Sequence, residues 1–135
     1  MNLEAALICD AATDSGGKLN VLGAFDTVFA AAIPFKHQHM AIALRIRFMR
    51  HEAGEHSVKI HFMDSDGEKV IPPLDGKMNI RFGRDADSAV GNLIINLNNI
   101  EFKEAGEYAV EISIDGAQVH SLPFFVKQRP QPAAN

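Results

Sequence analysis

Residues 92–126 read NLIINLNNIEFKEAGEYAVEISIDGAQVHSLPFFV, and the second half of that stretch decides the fold. Tyr108, Val110, Ile112 and Ile114 alternate with Ala109, Glu111, Ser113 and Asp115, the period-two pattern of a strand with one buried and one wetter face. Asp115-Gly116 follows, and Asp-Gly between two such runs signals a two-residue type I′ turn, whose central residues both need positive φ. The pattern predicts a strand over residues 106–115 that folds straight back onto residues 117–126. Counting across the turn sets Ile114 against Ala117 and Ile112 against Val119. Ser121 would then point inward, and Pro123 lacks a ladder donor, so a bulge or break that resets the register is expected between them. Beyond it Phe124 and Val126 turn inward and Phe125 stays partly exposed.

Just upstream, Leu97, Ile100, Glu104, Gly106 and Tyr108 resemble the immunoglobulin-like corner pattern Leu-x-x-Ile-x-x-x-Asp-x-Gly-x-Tyr-x-Cys. Glu104 stands where the pattern has aspartate, and Val110 where antibody-type domains have their second cysteine. The resemblance implies that Tyr108 is buried, with its hydroxyl bonded to backbone within residues 97–104. The whole-chain layout also resembles a bacterial family of small, uncharacterised single-domain proteins with an immunoglobulin-like sandwich. That likeness rests on Leu7-Ile8-Cys9-Asp10, Gly17-Lys18-Leu19, Gly23-Ala24-Phe25-Asp26, Pro34, the strand at 43–48, Asp66-Gly67 and the final hairpin. It implies no activity, cofactor or catalytic residue.

At 135 residues and 47% hydrophobic, the chain is one domain long and can bury a core without disulfides or metal. A formal net charge of −4 with scattered basic residues gives no footprint for nucleic acid or anionic membrane, and neither partner is expected. Cys9 is the single cysteine and sits in an apolar run, which suggests a buried thiol in a reducing cytoplasm. No signal-like N-terminus and no 18-residue apolar run is present.

In chain order, the apolar run at 3–10, the turn-rich link at 12–18 and the arm at 19–29 predict a hairpin. Gly23 inside the second arm suggests a bulge that lets the strand bend between two sheets. Residues 39–49 alternate cleanly, with Met40, Ile42, Leu44, Ile46 and Phe48 one way and Arg45 and Arg47 the other; Val58, Ile60 and Phe62 alternate next. Short strands are expected at 68–71 and 77–82, with the longest loop at 83–91 and a disordered tail at 127–135. No helical periodicity appears. The expectation is an all-β, immunoglobulin-like sandwich of about seven to nine antiparallel strands spanning residues 1–126. Leu44, Ile46, Val58, Ile60, Val110 and Ile112 are its expected common core.

Chemistry-bearing patterns are thin. His37 and His39 share a face if the strand is regular, and His61 could complete a zinc site; otherwise they are ordinary surface histidines. Asp85 and Asp87 open like a calcium loop, but Ala89 and Val90 occupy required positions, leaving at most a looser site. No nucleophile elbow or phosphate cradle occurs, and Asp64 and Asp66 read as turn residues. An enzyme is therefore not expected, nor a cofactor. The reading is a non-catalytic module acting through a protein partner or self-association, most simply a homodimer. Its contact face would carry Arg45, Arg47, Glu111, His120 and Phe125, with Glu111 beside the two arginines. The alternative is a small-molecule or metal-binding protein, or an enzyme, built on the loops at one sandwich end.

Overall fold

The computed structural model describes residues 1–130. Nine strands run in the order β1 Asn2–Ser15, β2 Lys18–Ala24, β3 Thr27–Ala30, β4 Phe35–Met49, β5 Gly54–Asp64, β6 Leu74–Ile80, β7 Ser88–Phe102, β8 Gly106–Ile114 and β9 Ala117–Gln128, with one three-residue 3-10 turn at Arg50–Glu52. They form a two-sheet, all-β sandwich, with β2-β1-β4-β7 in one sheet and β3-β9-β8-β5-β6 in the other. Every pairing is antiparallel except β3 with β9, which is parallel.

The inward residues of the two sheets meet as the alternation requires. Leu44, Ile46, Ile60, Val110 and Ile112 are fully buried and Val58 nearly so, the interdigitated filling of a two-sheet core. At one end Phe62, Phe102, Tyr108 and Phe124 pack edge-to-face, tilted or stacked, with ring centroids 5.1–6.3 Å apart, within the range of favourable aromatic pairs. Over this cluster the Tyr108 hydroxyl donates to the Glu104 carbonyl at 2.5 Å, closing the expected corner. Gly106 opens β8 at φ 147°. Asp115 and Gly116 take φ 51° and 85°, as a type I′ turn needs.

The final hairpin departs from the count made on sequence. Ile114 pairs with Ala117, but Ile112 pairs with His120 rather than Val119, so the extra residue of the bulge is Val119. No break is needed at Pro123: the Phe125 N–H, two residues on, points to Asp26 on the far side of the strand. By alternation the Pro123 nitrogen also faces away from β8, where its missing N–H costs no ladder bond. Phe124 and Val126 are buried as expected.

The first hairpin is longer than its sequence suggests and does something that sequence does not announce. Residues 12–15 are strand, not link, and Gly16-Gly17 alone make the turn. Residues 2–9 of β1 pair with β4; from Cys9 onward β1 pairs with β2 instead. This distal half doubles back over the outside of its own sheet, placing Ala12, Leu19, Val21 and Ile94 around Cys9, Ala41 and Ala43. Two alanines on the outer side of β4 give the hairpin room to approach, and all five residues from 40 to 44 become fully buried. At the tip, Arg45 and Asn92 both donate to the Gly17 carbonyl, and Asn92 donates to Asp14.

After Gly23 (φ 66°) the chain leaves β2 and crosses to the other sheet, donating from Phe25 to the Ile8 carbonyl and accepting from Phe125 at Asp26. The expected bend between sheets is thus present. Residues 68–71 form only an isolated bridge to β5, and β6 begins earlier than expected, directly after Pro72-Pro73. Residues 88–91 belong to β7, so the loop there is 81–87; Arg50 ties it down by donating to the carbonyls of Gly83 and Ala86. Lys127 and Gln128 extend β9, and the Arg129 N–H donates to Ala30, so the ordered domain passes residue 126. The remainder of the expected tail, residues 131–135, lies outside the described residues.

Candidate functional site

The residues expected to share one contact face are divided between two. Arg45 and Arg47 belong to β4 of the four-stranded sheet, whereas Glu111, His120 and Phe125 belong to β8 and β9 of the other. The arginines pair with Glu4, not Glu111: Arg45 Nε lies 3.2 Å and Arg47 Nε 2.7 Å from its carboxylate oxygens. Glu4 reaches both because β1 bulges between Leu3 and Ala5. The Arg47 hydrogen bond, reinforced by Arg45, holds the Glu4 carboxyl below its usual range. With Arg47 also donating to Ser88 and Arg45 to Gly17 and Asn92, these guanidiniums are committed inside the molecule.

The metal candidates do not converge. The burial alternation of β4 changes phase at Gln38, opposite Asn99 (φ 53°), so His37 and His39 occupy different environments. His37 pairs across with buried Ile100 and lies between Phe25 and Phe35, its Nε2 buried and without a hydrogen-bond partner among the described residues. His39 is exposed and bonds Asn98 at 2.8 Å. His61 is in the opposite sheet beside Glu111, and Asp85 and Asp87 lie on an exposed loop. Among the described residues no three His, Cys, Asp or Glu side chains are grouped to hold a metal ion. Asp64 serves its turn, accepting from the N–H groups of Asp66 and Glu68. It lines a concavity of about 370 Å³ with Asp66, Glu68, Glu101 and Glu104 below the Tyr108 corner.

The outer face of the five-stranded sheet is different in kind. Across it Met63, Ala109 and Pro123 stand in one cross-strand row, with Phe125 beside Thr27 and Glu107 in the next. Phe29, on the neighbouring β3, is 54% exposed. Phe125 itself is half-buried. This apolar strip is flanked by the His61, Glu111 and Ser121 row on one side and by Glu107 and Lys127 on the other. His120 falls out of the group: paired with Ile112, it is in phase with the core side of the strand and is exposed at the end of β9 that β3 leaves uncovered. Sequence reading missed Phe29 and the Met63-Ala109-Pro123 row, because their proximity depends on β3 joining β9 in parallel and on the Val119 bulge.

At the rim near the final turn, His56 is held from both sides. Nδ1 lies 2.6 Å from Asp115 and Nε2 2.6 Å from the Glu52 carbonyl, with the ring stacked on Phe48 at 4.4 Å. A carbonyl and a carboxylate both accept, so the geometry suits the doubly protonated ring. Partial burial opposes the charge, but the Asp115 and Glu52 bonds outweigh it and raise the His56 pKa. The same bond, with the Ser57 N–H, holds Asp115 low.

No curated protein matches the chain. Among solved structures, the Pseudomonas fluorescens alkylpurine DNA glycosylase AlkC, bound to DNA containing an abasic site analog, is similar at 10% identity and a TM-score of 0.47. The likeness covers 76% of this chain and 28% of that one, and at this level it says nothing of what the chain does. A family model matches far more of the sequence: from residue 4 to residue 127 the chain fits the family of unknown function DUF6941, and it belongs to that family.

Proposed function

We propose that the chain is a non-catalytic, immunoglobulin-like module of a bacterial cytoplasm that works by binding another protein through the outer face of its five-stranded sheet. The observation that carries this reading is the asymmetry of the two outer faces. One is closed by the chain's own doubled-back hairpin, whose Leu19 and Val21 cover Ala41 and Ala43. The other is left open with Met63, Ala109, Pro123, Phe125 and Phe29 in its middle and charged groups at its margin. An apolar centre rimmed by polar side chains is how protein interfaces are built. The immunoglobulin-like part is supported by the Tyr108–Glu104 corner. The cytoplasmic part is supported by Cys9, a fully buried lone thiol whose pKa is pushed up by burial and by neighbouring Asp10.

The test is capture of partners from the source cell on immobilised chain, followed by binding measurements with the purified partner. Phe125→Asp is expected to weaken binding at least tenfold. Leu22→Asp, at a 70%-exposed site on the hairpin, is expected to leave it unchanged. A partner that binds both variants like the wild type refutes the assignment of this face.

A further inference from the structure

The four-stranded sheet ends on β7, which pairs with β4 along its whole length and has no other backbone partner among the described residues. Exposed edges invite another strand, and proteins ordinarily blunt them with charges, prolines, bulges or brevity. The other edges here follow that rule. β2 has seven residues, opening on Lys18 and broken at Gly23 (φ 66°), β3 has four, β6 has seven with Asp75 and Lys77 among them, and the uncovered part of β9 carries the Val119 bulge and Pro123. From Ser88 to Asn98 β7 follows none of it: eleven residues, SAVGNLIINLN, with no proline and no charge, in one unshifted register against β4, the regular run ending only at Asn99 (φ 53°).

The ladder fixes which groups it offers. The Phe25 N–H donates to Ile8 on the side of β1 away from β4, so by alternation Leu7 and Cys9 bond toward Ala43 and Ala41. Ile42 and Leu44 then face β7, where they meet Ile95 and Leu93. Asn92, Ile94 and Asn96 are left with their N–H and C=O groups directed to the open edge.

We propose that this edge is a strand-addition site for β7 of a second copy, giving a continuous eight-stranded sheet about a two-fold axis at Ile95. An uncharged strand can lie antiparallel to itself without setting like charges opposite one another. The register centred on Ile95 places Ile94 against Asn96 of the copy and Asn92 against Asn98, both in phase with the free donors and acceptors. It also brings exposed Asp87, before the strand, toward exposed Lys103, after it, at both ends of the ladder. A single ladder covers less than the roughly 1,200–2,000 Å² typical of stable complexes, so the dimer is reversible. This surface is separate from the face that binds a partner, and each is tested by different residues.

Sedimentation velocity over a concentration series decides it. The wild type is expected to move from the 14.7 kDa monomer to twice that mass. Asn96→Pro removes a donor that β4 does not use, and is expected to weaken association at least tenfold. Asp87→Lys and Lys103→Asp should each weaken it, and the double exchange should restore it; these surface variants decide the matter even if Asn96→Pro does not fold. Phe125→Asp should leave it unchanged. A wild type that stays monomeric to millimolar concentration overturns the proposal. So does a dimer that Phe125→Asp abolishes, or one indifferent to both charge exchanges.

Discussion

Replacing Tyr108 with Phe removes one oxygen and leaves the ring against Phe62 and Phe102 untouched. What is lost is the 2.5 Å bond to Glu104. A neutral hydrogen bond contributes about 0.5–1.5 kcal/mol net, and an acceptor left dry costs more. Here the bond is part-buried at a chain turn, so water can reach the freed carbonyl, and a loss of about 1 kcal/mol is expected. For 135 residues the unfolding entropy is about 280 cal/mol/K, so the melting temperature should fall by about 3–4 °C. Tyr108→Ala, which also empties the ring site, should cost about 3–5 kcal/mol. Urea unfolding of all three proteins at constant slope separates the two contributions. A Phe variant within about 0.3 kcal/mol of the wild type would show that the corner is held by ring packing alone.

Other outcomes are equally open to measurement. Ile112→Ala should lose about 2–5 kcal/mol in urea unfolding, since its side chain is fully buried between the sheets. Gly91→Val should cost about 1–3 kcal/mol by overpacking, because a side chain there runs into Met78 and Ile80; unchanged stability would mean that β6 yields freely. Ala43→Leu should lift the doubled-back hairpin, read as faster hydrogen exchange across residues 10–24 with β8 unaffected. The His56–Asp115 pair makes stability depend on pH, with the sign set by two opposite shifts. His56 is raised above 6.5, so its contribution is full below pH 6.5 and is lost as pH climbs through the folded value; Asp115 is lowered from 3.8, so its share is lost as pH falls below that. Melting scans should therefore show the wild type losing its advantage over His56→Gln as pH rises above 6.5, and parallel curves would refute the pair's role.

Local signals were legible and assembly was not. The alternation of β8, the Asp115-Gly116 turn and the spacing around Tyr108 each act within a dozen residues, and each forms as expected. The same locality explains why residues 88–91 resemble a loop: Ser88, Ala89 and Gly91 have little strand character and leave Val90 isolated, and the four become strand because β4 offers partners from Met49 to Ile46. Arg45 and Arg47 show their outward direction in sequence, but their partner depends on which strand lies alongside, and that strand was β1 with its bulge at Glu4. The histidine pair fails for a comparable reason. A phase change opposite Asn99 in another strand turns two residues that share a face in a regular strand into a half-buried residue and an exposed one.

The hairpin folded over Ala41 and Ala43 also gives the protein an internal clock. Cys9 lies beneath it with no exposed surface, its thiol 3.6 Å from the Ala41 carbonyl and its pKa raised by burial. A thiol reagent in solution can react only with molecules whose hairpin has swung away, so the modification rate counts openings directly. Varying reagent concentration until the rate saturates yields the opening rate itself, from a single native residue.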